Sequence, residues 1–404
     1  MIAGWQCGAL KEFAELVSTG PFGSMLHQSD YVSSGVPLIN PTNIDDDKIV
    51  PDREKQVGAA AAKRLSSYAL KAGDIVVGRR GEIGRCATVS PDEAGWICGT
   101  GCFFIRPKPE ADPNFLAQLL RSPRYREMLE RAATGTTMKN MSNATLANLP
   151  IAVPPASEQR RIVAILDEAF EGIATAKANA EKNLQNAREW AARQLATALG
   201  AASTNGRGDT LEKLVAPSCT LSYGIVQPGD EVSGGLPVVR PVDLGDKTVY
   251  ADGLKRIDPA LARSYARTTL EGNDLLLCVR GTTGTVAMAD FALAGANVTR
   301  GIVPIRFEPE TISQAFGYYL LRSEPVQAQI RTKTYGTALM QINIGDLRKI
   351  VVAFPPLEKQ TALVEQLDAI QEAADHLTDV YARKRTALDE LKRSLLHQAF
   401  SGGL

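Results

Sequence analysis

The chain states most of its sequence twice. "GVPLINPTNI" (35–44) matches "GLPVVRPVDL" (235–244), and "DIVVGRRGEIG" (74–84) matches "DLLLCVRGTTG" (274–284). "FLAQLLRS" (115–122) matches "FGYYLLRS" (316–323). "GTTMKNMSNATLANLPIAVPPASEQ" (135–159) matches "GTALMQINIGDLRKIVVAFPPLEKQ" (336–360). The offsets are 200, 200, 201 and 201 over a chain of 404 residues, which is an internal duplication with a period of half the chain. Whatever the first half builds, the second half must build again.

Each copy divides into two unlike parts. Residues 1–153 and 204–354 mix short β-rich runs ("DIVVG", "CFFIRP", "DLLLCV", "GIVPIRF") with turn residues, and one amphipathic helix is predicted near 113–132 and again near 313–332. Residues 154–203 and 355–404 are arms of strong helix formers that carry no proline beyond their first residues. In the first arm apolar residues fall at Ile162, Leu166, Ala169, Ile173, Ala176, Ala180, Leu184, Ala187 and Ala191. In the second they fall at Leu363, Leu367, Ile370, Ala374, Leu377, Tyr381, Leu388, Leu391 and Leu395. Steps of three and four mark one helical stripe, and the first six positions of each arm share a register. Forty helical residues reach about 60 Å. Such an arm is expected to bury its stripe on the other arm or on a partner, not in its own small domain. Trp190, large for an alanine-rich seam, is assigned to the helical pair or to a partner surface. The pairs "VPP" and "FPP" mark the arm starts, with Glu158 and Glu358 suited to a helix N-terminus. The expected fold class is therefore α+β: two similar mixed α/β domains separated by two long helices forming an antiparallel coiled coil.

The "GDIVVGRRGEIGRC" segment (73–86) has the look of a phosphate cradle. Its glycines, however, are spaced three and three, and no lysine followed by Ser or Thr completes a P-loop. A search for other chemistry also fails. The Pro-Pro pairs lack the polar residue before and the aromatic after that an adenine methyltransferase needs. Three histidines (His27, His376, His397) and six scattered cysteines suggest neither a triad nor a zinc set. The expectation is a chain without catalysis or metal of its own. No apolar run reaches the roughly 18–20 residues of a membrane span, and the opening residues lack a basic then apolar leader, so a cytoplasmic protein is expected.

Lys plus Arg equal Asp plus Glu at 45 each, and residues 1–150 hold 17 against 16. A DNA-binding face must then come from segregation of charge, not from excess.

With the hairpin, the Gly-Thr to Pro-Pro-Gln block and the alanine-rich arm all present twice, and with the ending "SLLHQAFSGGL", the whole chain resembles the specificity subunit of Type I restriction–modification enzymes. The resemblance implies two target-recognition domains, each reading one half of a split site on double-stranded DNA. It also implies arms that set the spacer, dock two methyltransferase (modification) subunits and allow recruitment of restriction subunits. S-adenosylmethionine is then expected on the methyltransferase partners, with no cofactor on this chain. Thr361 and Ala362 stand where the first copy has Arg160 and Arg161, so the two docking surfaces are expected to differ in charge. The competing reading is an assembly scaffold for methyltransferase subunits that reads no sequence; the two unlike domains argue against it.

Candidate DNA contacts follow from chemistry and position. Arg79, Arg80 and Arg85 lie on the first hairpin turn, and Arg280, Thr282 and Thr283 on the second; arginine pairs bidentately with guanine or phosphate. The loops before the arms offer Lys139, Asn140, Asn143, Gln341 and Asn343, and strand-end turns offer Asn40, Asn43 and Arg240. For each, a purely structural role is the alternative. Helix-packing or partner candidates are Ile162, Leu166, Ile173, Leu184, Trp190, Leu363, Leu367, Leu377, Leu388 and Leu395.

Overall fold

The computed structural model describes residues 4–22, 25–45, 47–133, 140–203, 207–336 and 340–403. Two compact units emerge, Met1–Glu181 with Ala382–Leu404, and Lys182–Tyr381.

In the first unit β1 (Ala14–Thr19), β2 (Ile75–Gly78), β3 (Cys86–Thr88) and β4 (Cys102–Pro107) form an antiparallel sheet in the order β1-β4-β2-β3. β2 is buried along its whole length, which explains its unbroken apolar run, and Val77 faces Cys86 on one neighbour and Phe103 on the other. A second four-stranded sheet joins Ile97–Cys98, Val36–Ile39, Gln56–Val57 and Tyr31–Val32. The helix expected near 113–132 is instead two helices, α1 (Pro113–Arg121) and α2 (Pro123–Ala132). Ser122 between them is extended because the ring of Pro123 excludes the helical conformation from the residue before it. Gln6–Ala9 pairs antiparallel with Pro150–Val153, so the domain's first strand closes on its last, and α3 (Ala156–Ser203) follows directly.

The second unit repeats this plan. β5 (Thr248–Val249), β6 (Leu275–Cys278), β7 (Val286–Ala289) and β8 (Ile302–Ile305) form a sheet in the order β5-β7-β6-β8. A three-stranded sheet joins Lys255–Ile257, Leu236–Val239 and Asn297–Val298. The expected second helix is likewise broken, into α4 (Gln314–Arg322) and α5 (Glu324–Lys333) at the extended Ser323, with Pro325 in the opening turn of α5. Arg207–Thr210 pairs with Val351–Phe354, and α6 (Leu357–Ser401) follows. Each unit has a matching, largely buried ion pair at its sheet. Arg106 grips Asp74 through two bonds of 2.8 and 2.7 Å, and Arg306 donates to Asp274 at 2.5 Å. Burial pushes the Asp274 carboxyl up, with Arg306 opposing it.

α3 and α6 each contribute to both units. In the first unit Lys177 pairs with Asp389 and Arg385 with Glu181, both at 2.7 Å, so the two segments run antiparallel. The expectation that the arms bury nothing in their own domains is corrected at their ends. Ile162 and Leu166 of α3 join Phe115, Leu116 and Leu120 in the first domain's core, and Leu396, Ala399 and Phe400 of α6 join the same core. In the second unit Leu367 of α6, with Ala198 and Leu199 of α3, joins the core around Phe316 and Leu320. Each domain is thus anchored by the first turns of its own arm and the last turns of the other.

Of the predicted stripe, Ile162, Leu166, Ile173, Leu184 and Leu367 are buried, and Leu363, Leu377, Leu388 and Leu395 are half-buried. Leu391 is a correction. It faces solvent at 47% exposure, because the buried line steps from Leu388 to Lys392, whose ammonium lies 5.0 Å from the Phe170 ring centre. Trp190 is also on the outside, 42% exposed. Among the described residues, no helix is long and apolar enough to cross a membrane.

Candidate nucleic-acid interface

The hairpin turn after β2 is built by backbone conformation. Gly81 and Gly84 adopt φ of 72° and 84°, and Gly281 and Gly284 adopt 88° and 96°. Only glycine takes these left-handed values without strain. At Gly84 and Gly284 a side chain would also meet Leu129 and Gln327 of the helices beneath. The glycines of the cradle-like segment therefore shape a β-turn, and the same turn is made twice.

Each turn docks on the loop before the arm. The carbonyl of Arg79 accepts from Met141 N at 3.3 Å, and that of Val279 accepts from Ile342 N at 3.0 Å. Backbone bridges link Arg80 with Asn140 and Arg280 with Gln341. Two sets of candidates that are sixty residues apart in sequence are thereby brought to one edge in each unit.

The side chains differ between the copies. In the first, Arg79 turns inward. Its Nε donates to Asn140 Oδ1 at 3.0 Å and to the Met141 carbonyl at 3.1 Å, and its guanidinium lies 5.7 Å from the Phe103 ring centre. Burial, with the neighbouring Arg80 charge, lowers its pKa. Arg79 thus tethers the turn to the loop, the structural alternative for this candidate. Arg80 is exposed. Arg85 pairs with Glu82 and donates to the Ile44 carbonyl at 3.2 Å, so it points away from the Arg80 edge. Asn143 is exposed and donates to the Val17 carbonyl at 3.1 Å. Lys139 lies outside the described residues.

In the second copy Gly281 N and Thr283 Oγ1 both donate to the Met340 carbonyl, at 2.8 and 3.2 Å. Thr282 is exposed, with its hydroxyl 3.5 Å from Cys278 Sγ. Tyr335 joins the two amides. Its hydroxyl donates to Asn343 Oδ1 at 2.6 Å and accepts from Gln341 Nε2 at 3.0 Å. Tyr223 closes the other side, donating to the Ile342 carbonyl at 3.1 Å. Arg280, Arg300, Gln341 and Asn343 with these two tyrosines surround a depression of about 350 Å³. Burial raises the Tyr223 pKa, which keeps the phenol a donor. Tyr223, Tyr335 and Arg300 were not singled out from sequence. The signal available was Tyr335 beside the second amide-bearing loop, and only the fold shows that Tyr223 and Arg300 converge with it.

At the strand-end turns the structure gives the candidate side chains structural partners, the alternative reading for these residues. Asn43 is buried, its Oδ1 accepting from Asn40 N at 2.9 Å and its Nδ2 donating to the Val50 carbonyl at 3.0 Å. Asn40 Oδ1 faces the backbone of Gly99. Arg240 forks onto Asp243 at 3.1 and 2.9 Å. These side chains complete the turn itself, which is why the same pattern recurs in both copies.

The edge is chemically suited to a base pair. Arginine forks match guanine, amides match adenine, and a tyrosine face stacks on a base. Arg80 and Asn143 offer this on the first unit, and Arg280, Arg300, Gln341, Asn343 and the two tyrosines on the second.

Comparison with known proteins gives a consistent result. The family model described as the Type I restriction modification DNA specificity domain matches residues 3–185 and 230–379, one segment per copy of the duplication. The chain is 24% identical over 353 residues to the Type I restriction enzyme EcoBI specificity subunit of Escherichia coli, covering 82% of this chain and 73% of that protein. It is 23% identical to the putative MjaX specificity subunit of Methanocaldococcus jannaschii, covering 98% and 93%. A chain solved in a study of complex assembly and conformational transition of the type I R-M system superposes with a TM-score of 0.76 at 25% identity, covering 100% and 99%. The HsdS subunit from Thermoanaerobacter tengcongensis shares the fold, with a TM-score of 0.59 at 22% identity over 100% and 98%.

Proposed function

We infer function from one premise: the chain belongs to the Type I restriction modification DNA specificity family. It is the DNA specificity subunit of a Type I restriction–modification system, and on our reading each mixed domain recognises one half of a bipartite DNA target. The observation that carries this reading is the doubled edge. The same hairpin-to-loop bridge is built in both units, Arg80 with Asn140 and Arg280 with Gln341, while the turn around it differs, with Glu82, Ile83 and Arg85 in one and Thr282, Thr283 and Thr285 in the other. A conserved frame with unlike readers is what two different half-sites require.

The chain acts without chemistry of its own. Two methyltransferase subunits dock along the arms and bring S-adenosylmethionine, and restriction subunits join the same assembly. The arms fix the distance between half-sites, and exposed Trp190 and Leu391 are available to the docked subunits.

The scaffold reading is disfavoured, since a surface that only docks partners has no use for two divergent reading edges. Sequencing the methylated positions of cells that express the methyltransferase partner, with and without this chain, tests the assignment. A split motif that appears only with the chain is expected. An unchanged methylation pattern overturns the specificity role and favours the scaffold.

A further inference from the structure

Both units carry a groove at the same place in the repeat, between the hairpin turn, the break between the paired helices, and the arm. Their charges are opposite. In the first unit the groove is walled by Arg85, Arg121, Arg126, Lys177, Lys392 and Arg393 against only Glu82 and Asp389, and encloses about 930 Å³. In the second, of about 690 Å³, Asp246, Asp368, Glu372 and Asp375 outnumber Lys247 and Arg322. The fold does not demand either charge, since the same backbone accommodates both.

We propose that the basic groove of the first unit binds the phosphodiester backbone of duplex DNA, independently of sequence, and that the second unit has no such clamp. The proposal rests on the DNA-reading function above and adds to it a contact that reads no bases. Three observations favour a phosphate backbone over an acidic protein segment. The groove begins on the turn that carries Arg80: Arg85, five residues on, is one of its walls. Arg85 turns away from Arg80 to line it, so the groove flanks the reading edge on the same turn. The apolar floor is closed to a side chain, because Ile173 and Leu396 are each 7% exposed and the Lys392 ammonium covers Phe170. The internal acids are already engaged, Glu82 with Arg85 and Asp389 with Lys177. Arg121 faces Asp47 at 3.7 Å from outside the groove. The remaining cations include Arg126 and Arg393, and the two carboxylates of the lining are taken up by Arg85 and Lys177 instead.

The test uses the chain assembled with its methyltransferase partner and a labelled duplex of random sequence. Affinity is measured from about 50 to 200 mM salt, where each phosphate neutralised contributes roughly 0.9 to the log–log slope. The double variant Arg126→Gln/Arg393→Gln is expected to flatten the slope by about 2 and to weaken binding several-fold. Arg126→Lys/Arg393→Lys, which keeps the charge, should restore it. Glu372→Gln/Asp375→Asn in the second groove should leave the slope unchanged. Three results overturn the proposal: an unaltered slope in the glutamine variant, an equal change from the second-groove variant, or loss of methyltransferase from the complex by light scattering with the slope retained. Failure of the specificity reading would look different. The wild-type complex would then methylate no split motif, whatever its salt slope.

Discussion

The side-chain carbonyl of Gln159 accepts the backbone N–H of Asp112 at 2.7 Å. Its amide donates to the carbonyls of Glu110 and Pro154 at 2.9 and 2.8 Å. Gln360 repeats all three bonds, with Ser313 N at 2.9 Å and the carbonyls of Thr311 and Pro355 at 2.8 and 3.1 Å. Both glutamines are essentially inaccessible to solvent. One side chain in the first turn of each arm therefore holds the loop that caps α1 or α4, fixing the arm to its domain.

Replacing either glutamine by leucine should leave a buried N–H and two carbonyls without partners, at about 1–3 kcal/mol for each group stranded. We expect Gln159→Leu and Gln360→Leu each to lower the denaturant midpoint of the chain, measured by circular dichroism. A midpoint equal to wild type would show that these bonds do not anchor the arms.

The two neighbouring arginines of the first turn should separate by phenotype. Arg79 is bonded inward to Asn140 and Met141, whereas Arg80 is exposed. Arg79→Ala is expected to cost about 1–3 kcal/mol of stability, because a bond to a charged donor is lost and its acceptors are stranded. Arg80→Ala should leave thermal unfolding unchanged and weaken binding to the methylated target, by about 1–3 kcal/mol where it reads a base. Measuring both variants by calorimetry and by DNA binding checks this. Weaker DNA binding from Arg79→Ala with full stability, or none from Arg80→Ala, would reverse the assignment.

These results separate what the sequence made legible from what it did not. The duplication, the two arms and their stripe follow from periodicity, because a helix 48 residues long shows its period many times over. The break at Ser122 was missed because the apolar pattern continues through it. Pro123 was the signal, and it outweighs periodicity at the one residue before it. The swing of the stripe from Leu391 to Lys392 was not visible, since a lysine stem buries as well as a leucine once an aromatic ring such as Phe170 lies beneath it. At the candidate interface the sequence singled out loops that the fold brings together, and it could not tell inward from outward side chains. Arg79 and Arg80 are adjacent and identical in chemistry, and only the position of Asn140 distinguishes them.

Acid should act on the second unit through Asp368. Burial disfavours its charge, but hydrogen bonds from Lys247 and Tyr319 outweigh that and hold its pKa below the ordinary 3.8. A depressed folded pKa contributes stability that is present above the unfolded value and lost as pH falls through the folded one. Asp368→Asn should therefore be less stable than wild type at pH 7, by about 1–3 °C in Tm given the partial exposure of the pair. That gap should begin to narrow below about pH 4 and go on narrowing as pH falls through the lower folded value. Thermal scans of both proteins from pH 7 down to about pH 2 check this, and a gap of unchanged size across that range would mean the carboxylate charge is not what stabilises the contact.

The arms give the sharpest test of the spacer. Lys177 with Asp389 and Glu181 with Arg385 fix an antiparallel register within the first unit. Seven residues inserted into α3 alone, after Lys182, keep the helical face to within about 20°. They lengthen one arm against an unchanged partner, so the apolar stripes no longer oppose each other, and loss of methylation activity is expected. Seven residues inserted into both α3 and α6, the second set before Ala382, restore the match. Each arm then gains about 10 Å, equal to about three base pairs at 3.4 Å per step. Methylome sequencing of the doubly extended chain should find the same two half-sites with an unspecified spacer about three base pairs longer. The original spacer in a fully active, doubly extended chain would show that something other than the helical pair sets the distance.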